Sequence, residues 1–407
     1  MQINLNGLKN SSLFLGLCGI FLFTTCVYAE TDYGHEAHSD RDYNRGLIEG
    51  LTGFKYNETN FMKSLGIKFG GWTEIGFTGN PDDPKGTNGP VTFNDGPNEF
   101  KLHQVYGFIE REVDTSANTI NFGFRADLLY GTDARFSSAS NFDVSILNGN
   151  SERKLVFPQV YVDAFLPIGN GITATIGHFY TLIGYEVVPS TGNFFFSHAY
   201  TMQYGEPFTH TGALLSYPVN DNVTIKGGVV AGWDAFFHQP ANFLGSVAYT
   251  TDDERTSLTA SLITGDVKTD GLNNQHNRTM YSLVLEHDLT DKLHYVLQHD
   301  LGVEAKTALG RAAQWYGVNQ YLFYDILSNL STGLRVEWFR DDDGVRVLGN
   351  GRGENFIGVT GGLNYTPIAG FTLRPEVRYD RSTKNAAFKD GRDDDQILLS
   401  ISGIFRF

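Results

Sequence analysis

Arg374, Glu376, Arg378 and Asp380 recur at every second position, with Phe371, Leu373, Pro375, Val377 and Tyr379 between them. Period two puts these two sets on opposite faces of an extended strand. Four charges on one face can line water, pair with one another or hold an ion. They cannot face lipid, where an Arg or Lys costs about 2–4 kcal/mol at the midplane. The same parity places Arg125 and Asp127, Arg335 and Glu337, and Lys226 on polar faces, with Glu74, Asp163, Glu286, Asp288 and Asp300 among further acids. Carboxylates outnumber bases on these faces. If the faces line water, cations concentrate there, and a mild cation preference that weakens at high salt is expected.

The other residues able to do chemistry cluster in one long segment, 181–209. It carries Glu186, His198, Gln203 and Glu206 among Phe194, Phe195, Phe196, Tyr200 and Tyr204. Histidines His178, His198 and His210 lie near these acids in sequence, yet no Ser-His-acid arrangement can be assigned. No Gly-x-Ser-x-Gly elbow and no phosphate-cradling loop is present, so catalysis and a cofactor are not expected. The runs Asp341-Asp342-Asp343 and Asp393-Asp394-Asp395 lack the spacing of a calcium loop and are expected to be solvated. His35 and His38, in a polar stretch, are likewise expected to be solvated rather than metal ligands.

The elements that position these residues are strands. Ile120, Phe122, Phe124, Ala126, Leu128 and Tyr130 oppose Asn121, Arg125 and Asp127. Val223, Ile225, Val229 and Trp233 oppose Thr224, Lys226 and Asp234. Leu293, Tyr295, Leu297 and Leu301 oppose His294, Gln298 and Asp300. Segments of about ten alternating residues separated by turns, repeated down the chain, predict an all-β transmembrane antiparallel barrel. Short connections such as 167–171, 220–222, 290–292 and 367–370 alternate with long polar ones, including 79–98, 131–154, 181–209, 266–277, 341–353 and 382–394. Laying strands between them gives about sixteen. The stretch 100–111 has ambiguous faces and is expected to bulge. Segment 181–209 would be the third long loop. Folded into the lumen, it would narrow the passage and set its acids against the basic wall.

The 407 residues divide unevenly. Lys9, the apolar run 13–23 and Val27-Tyr28-Ala29 read as a signal peptide, 1–29, cleaved before Glu30. A polar leader follows over 30–66, with a short helix expected within 47–65, and then the barrel, 67–407. Both cysteines, Cys18 and Cys26, would leave with the signal, so no disulfide or Cys-ligated metal is expected. The formal net charge of −15 argues against nucleic acid as a partner. Phe407, with Phe405, Ile401, Leu399 and Ile397 on its face, reads as a closing strand and an assembly signal.

Several segments resemble one family. They are GWTEIGFTGNPDDP from Gly71, FGFRADLLYGTDARF from Phe122, IGHFYTLIGYEVV from Ile176 and FFFSHAYTMQYGEPFTHTG from Phe194. TTDDERTSL from Thr250, RTMYSLVLEHDLTDKLHYVLQHD from Arg278, QWYGVNQYLFY from Gln314 and EWFRDDDGVRV from Glu337 continue the series. Spread in order over roughly 66–407, they are similar to the beta-barrel porin-2 family of OmpL-like porins. The resemblance implies a bacterial outer-membrane channel for passive diffusion of small polar solutes. Its expected surroundings are outer-membrane lipid and lipopolysaccharide, the assembly machinery during biogenesis, and further copies of itself in a homo-oligomer. The alternatives from other classes are an adhesin or receptor acting through the long loops and a barrel hydrolase.

Overall fold

The computed structural model describes residues 46–143, 152–268 and 275–407. The signal peptide, both cysteines, His35 and His38 lie outside the described residues. Two short helices, α1 (Leu47–Thr52) and α2 (Asn60–Leu65), precede the strands. The first nine strand segments are β1 (Lys68–Gly79), β2 (Glu99–Arg111), β3 (Asn121–Gly131), β4 (Lys154–Val156), β5 (Val160–Leu166), β6 (Ile172–Tyr180), β7 (Thr209–Pro218), β8 (Val223–Val230) and β9 (Asn242–Thr250). The rest are β10 (Thr256–Lys268), β11 (Gln275–Thr290), β12 (Leu293–Glu304), β13 (Ala313–Leu327), β14 (Leu330–Asp341), β15 (Glu354–Ile368), β16 (Phe371–Ser382) and β17 (Asp395–Arg406).

Apart from β4 and β5, each strand pairs antiparallel with the next, and β1 pairs with β17, which closes the sheet. Both β4 and β5 pair with β3, so together they make one stave and the barrel has sixteen. Closure leaves no sheet edge, as a lipid-spanning sheet requires. Glu74 pairs with Gln104 but Ile75 with Leu102, so His103 is an extra residue, a bulge in the stretch of ambiguous faces.

Burial is inside out. Along β16, Arg374, Glu376, Arg378 and Asp380 are buried while Val377 is 52% exposed. Along β17, Ile397, Leu399, Ile401 and Phe405 all face outward. Alternation misplaces one residue: Trp233 lies beyond Val230, where β8 ends, and is buried against Trp315 inside. Once a strand ends, its parity no longer fixes where a side chain points.

Short turns and the start of β1 share one end of the barrel with the end of β17. At the β15–β16 turn Gly370 adopts φ +76°, a left-handed conformation that glycine takes without strain. The long connections, 181–208 among them, lie at the other end. Outside β1, the Asn57 side chain both donates to the Phe69 carbonyl (2.9 Å) and accepts from its N–H (3.0 Å).

Candidate functional site: the loop within the barrel

The connection from β6 to β7, residues 181–208, is held inside the barrel. A chain removed from water must find partners for its N–H and C=O groups. The wall supplies them. On β16, Arg374 donates through Nη1 to the carbonyls of Ser190 (2.9 Å), Asn193 (2.8 Å) and Phe195 (3.2 Å). Its Nη2 pairs with Glu74 of β1. Glu376 accepts from the N–H groups of Phe196 (2.9 Å) and Ser197 (3.2 Å). A planar fork of five donors makes arginine the side chain suited to gathering carbonyls in this way.

Arg335 on β14 is fully buried and sits at the centre of a second group. Nη1 reaches Glu186 Oε1 at 2.8 Å and the Ser197 carbonyl at 2.6 Å, while Nη2 donates to Ser197 Oγ and Thr360 Oγ1. Glu186 also accepts from the Tyr321 hydroxyl (3.0 Å) and the Ala199 N–H (2.8 Å), and His198 Nδ1 lies 3.1 Å away. Burial by itself would raise the Glu186 carboxyl. Arg335, His198 and the Ala199 N–H outweigh it and hold the group down at about 2.

A third group joins Arg378, Asp380 and Glu337 to the loop. Tyr200 donates its N–H to Glu337 (2.6 Å) and its hydroxyl to Asp380 (3.0 Å), and Arg378 donates to the His198 carbonyl. Further along, Trp315 Nε1 donates to Gly205 O (3.0 Å), Gln298 Nε2 to Glu206 (2.6 Å), and Gln203 accepts from the Thr92 hydroxyl (2.6 Å). Other external loops cover this one. Phe93 packs on the His198 ring at 4.3 Å, and Arg346 lies over Trp315 at 4.7 Å and donates to the Tyr204 carbonyl.

The expected site residues divide accordingly. Arg335, Glu337, Arg374, Glu376, Arg378 and Asp380 form the seat of the loop, together with Glu186, His198, Gln203 and Glu206 on the loop itself. These wall charges are paired and buried, so they touch the loop rather than bulk water. Arg125 and Asp127 sit apart on β3, paired to each other at 2.8 Å, with Glu110 and Tyr106 completing the cluster. Lys226 on β8 lines the cavity beside the loop. One expectation is corrected: Asp341 is not solvated but buried, accepting from the N–H groups of Val345 (3.0 Å), Arg346 (2.8 Å) and Val347 (2.9 Å). A carboxylate at a strand end can organise the turn that follows, which spacing alone does not reveal. Alternation marks Gln298 as inward and nothing more, and Tyr321, Ser197 and Thr360 carry no signature as neutral residues.

Beside the loop a cavity of about 760 Å³ remains. Its strand walls run from β1 to β10, with Trp72, Arg125, Asp163, Lys226 and Thr259 along them and Arg406 from β17. The loop bounds it with residues from 181–192, with Met202 and from 206–208. The barrel is thus filled by the loop on one side and holds a cavity on the other.

The family described as "Putative beta-barrel porin-2, OmpL-like" matches residues 66–407. The chain belongs to it. Solved outer-membrane channels share the fold. The anion-selective porin from Comamonas acidovorans superposes with a TM-score of 0.59 at 10% identity, over 84% of this chain and 99% of that one. Pseudomonas putida OprB gives 0.58 at 11%, over 86% and 97%. The channel DcaP of Acinetobacter baumannii gives 0.56 at 11%, over 84% and 97%. A comparison with curated protein sequences gives no match. This porin is an outer-membrane β-barrel channel of the bacterial envelope.

Proposed function

We propose that small polar solutes diffuse passively through the space between loop 181–208 and the β1–β10 wall, with the loop as the narrowest segment. One observation carries the reading: the loop is tied to the far wall by Arg335, Arg374 and Arg378, while a cavity persists on the near side. Around that cavity the carboxylates of Glu110, Glu112, Asp163 and Glu186 face Arg111, Arg125, Lys226 and Arg406, and Glu206 adds its share of the negative charge it holds with Asp300. The small acidic surplus supports a mild cation preference. Salt weakens it, because screening shortens the reach of each charge. Planar-bilayer recording tests both points. Ohmic conductance with a reversal potential favouring the cation in dilute salt is expected, and clear anion preference refutes the selectivity.

The chain acts without catalysis in this reading. His178 Nδ1 contacts the Thr211 hydroxyl (2.8 Å), and His210 contacts the Thr181 hydroxyl and the Gly232 carbonyl; among the described residues no carboxylate hydrogen-bonds either ring to complete a triad. Ester or peptide hydrolysis lost on mutating one His or Ser would argue for an enzyme, and a barrel without conductance would argue for a surface receptor. Vibrio cholerae OmpT, a structural neighbour at 10% identity, is described in a trimer form. A homo-oligomer of this porin is checked by mass measurement in detergent.

A further inference from the structure

The carboxyl groups of Glu206 and Asp300 meet where the loop touches β12. Glu206 follows the short helical turn Thr201–Gly205, Asp300 is on the inward face of β12, and both are buried. They lie in hydrogen-bonding contact with each other. Gln298 Nε2 bridges them, 2.6 Å from Glu206 Oε1 and 3.1 Å from Asp300 Oδ2. The Ser282 hydroxyl of β11 is a further hydrogen-bonding neighbour of the Asp300 carboxyl. The seat is shaped for the carboxyl. Gly184 has φ +89°, and a Cβ there would come within 1.9 Å of Glu206 Oε2.

The surroundings do not neutralise the pair. On the loop, Glu186 adds a further negative charge, and its partner Arg335 is engaged with Glu186, Ser197 and Thr360. His299, on the outward parity of β12, stacks on Tyr281 and favours the Asp300 charge only from a distance, last among the influences on that carboxyl. On β11 the uncharged Ser282 stands opposite Asp300. From β13 come the Asn319 amide and Tyr321, whose hydroxyl serves Glu186, and from β10 the Ser261 hydroxyl, which donates to the Leu182 carbonyl.

Two buried carboxylates in contact do not both ionise without a counter-charge. A divalent cation would supply one, but Gln298 opposes it. The Tyr185 N–H donates to Gln298 Oε1 at 3.2 Å, which turns Nε2 toward the acids, and an amide donor is no ligand for a hard cation. We propose that Glu206 and Asp300 hold one proton between them, and that this shared proton clasps loop 181–208 to β12, so that its loss releases that end of the loop. Burial and the Asp300 charge push the Glu206 carboxyl well above the usual carboxylate range. A raised carboxyl stabilises the seated loop fully below its ordinary value, and this stabilisation is lost as pH rises through the raised one. Release would widen the passage, a consequence that rests on the loop being the narrow segment of the pore.

The test follows two signals from mildly acidic to alkaline buffer. One is single-channel conductance. The other is emission from Trp315, whose indole is bonded to Gly205 next to Glu206, obtained by subtracting a Trp315→Phe protein. Wild type is expected to show one transition in both signals, with conductance higher on the alkaline side. Glu206→Gln and Asp300→Asn each keep a donor toward the remaining acid at every pH, so both variants are expected to stay seated and show no transition. A flat wild-type emission profile, or an unchanged transition in Glu206→Gln, overturns the shared proton. A response to added calcium at constant pH, reversed by chelation, overturns it in favour of a metal. Emission that titrates while conductance stays constant supports the clasp and overturns the loop as the narrow segment.

Discussion

The guanidinium of Arg335 on β14 and the carboxylate of Glu186 in the third external loop stand 2.8 Å apart, both buried in the barrel. The loop's position depends on this pair more than on any element of its own, because it contains only short turns of helix.

Removing one partner should therefore hurt more than removing both. Arg335→Met or Glu186→Gln leaves an uncompensated polar partner inside, for which about 3–5 kcal/mol is the usual loss. The double variant should lose less than the sum of the singles. Urea midpoints of the folded porin in lipid check this, and additive singles would show that the pair does not act as a unit.

Acid should undo the same anchor. The Glu186 carboxyl is held down at about 2. A depressed carboxyl contributes stability that is present above its ordinary value of about 4.3 and is lost as pH falls toward the depressed one. Wild-type urea midpoints should fall over that window, and those of Glu186→Gln should fall less. The Glu206–Asp300 clasp has the opposite sign, so the loop is held at one end in acid and at the other in alkali.

Shortening the loop should open the pore. Replacing 189–203 with a short Gly-Ser linker removes the carbonyls gathered by Arg374 and Arg378 but none of the strands β6 and β7. Loops tolerate such changes better than strands do. Conductance should rise and larger sugars should permeate, in a variant whose mobility on SDS gels still shifts on boiling. Wild-type conductance in that variant would place the constriction elsewhere.

Phe407 should matter for assembly. Its N–H donates to the Gly71 carbonyl (2.9 Å), and a Cβ at Gly71 would meet its ring at 2.7 Å, so the residue packs at the seam between β1 and β17. Phe407→Ser should lower the amount inserted in the outer membrane while export to the periplasm continues. Equal surface levels would show that the ring is dispensable.

The sequence by itself determined the barrel. Alternation is local, and a strand's two faces are set by neighbours two positions apart, so Val377 outside and Arg374 and Arg378 inside follow from residues 371–381 alone. The alternation of short and long connections, and with it the identity of 181–208 as the third long loop, is equally local. Parity stops at the strand's end, which is why Trp233 was misplaced, whereas Asp341 was misplaced because the acidic run hid that β14 extends to it. Only the tertiary structure decided what the inward charges do. Arg335 meets Glu186 at a sequence separation of 149 and Arg378 meets the His198 carbonyl at one of 180. Whether an inward charge meets water or a folded-back loop depends on the path that loop takes through the lumen. That path is set by backbone carbonyls seeking donors, and every sequence has the same carbonyls.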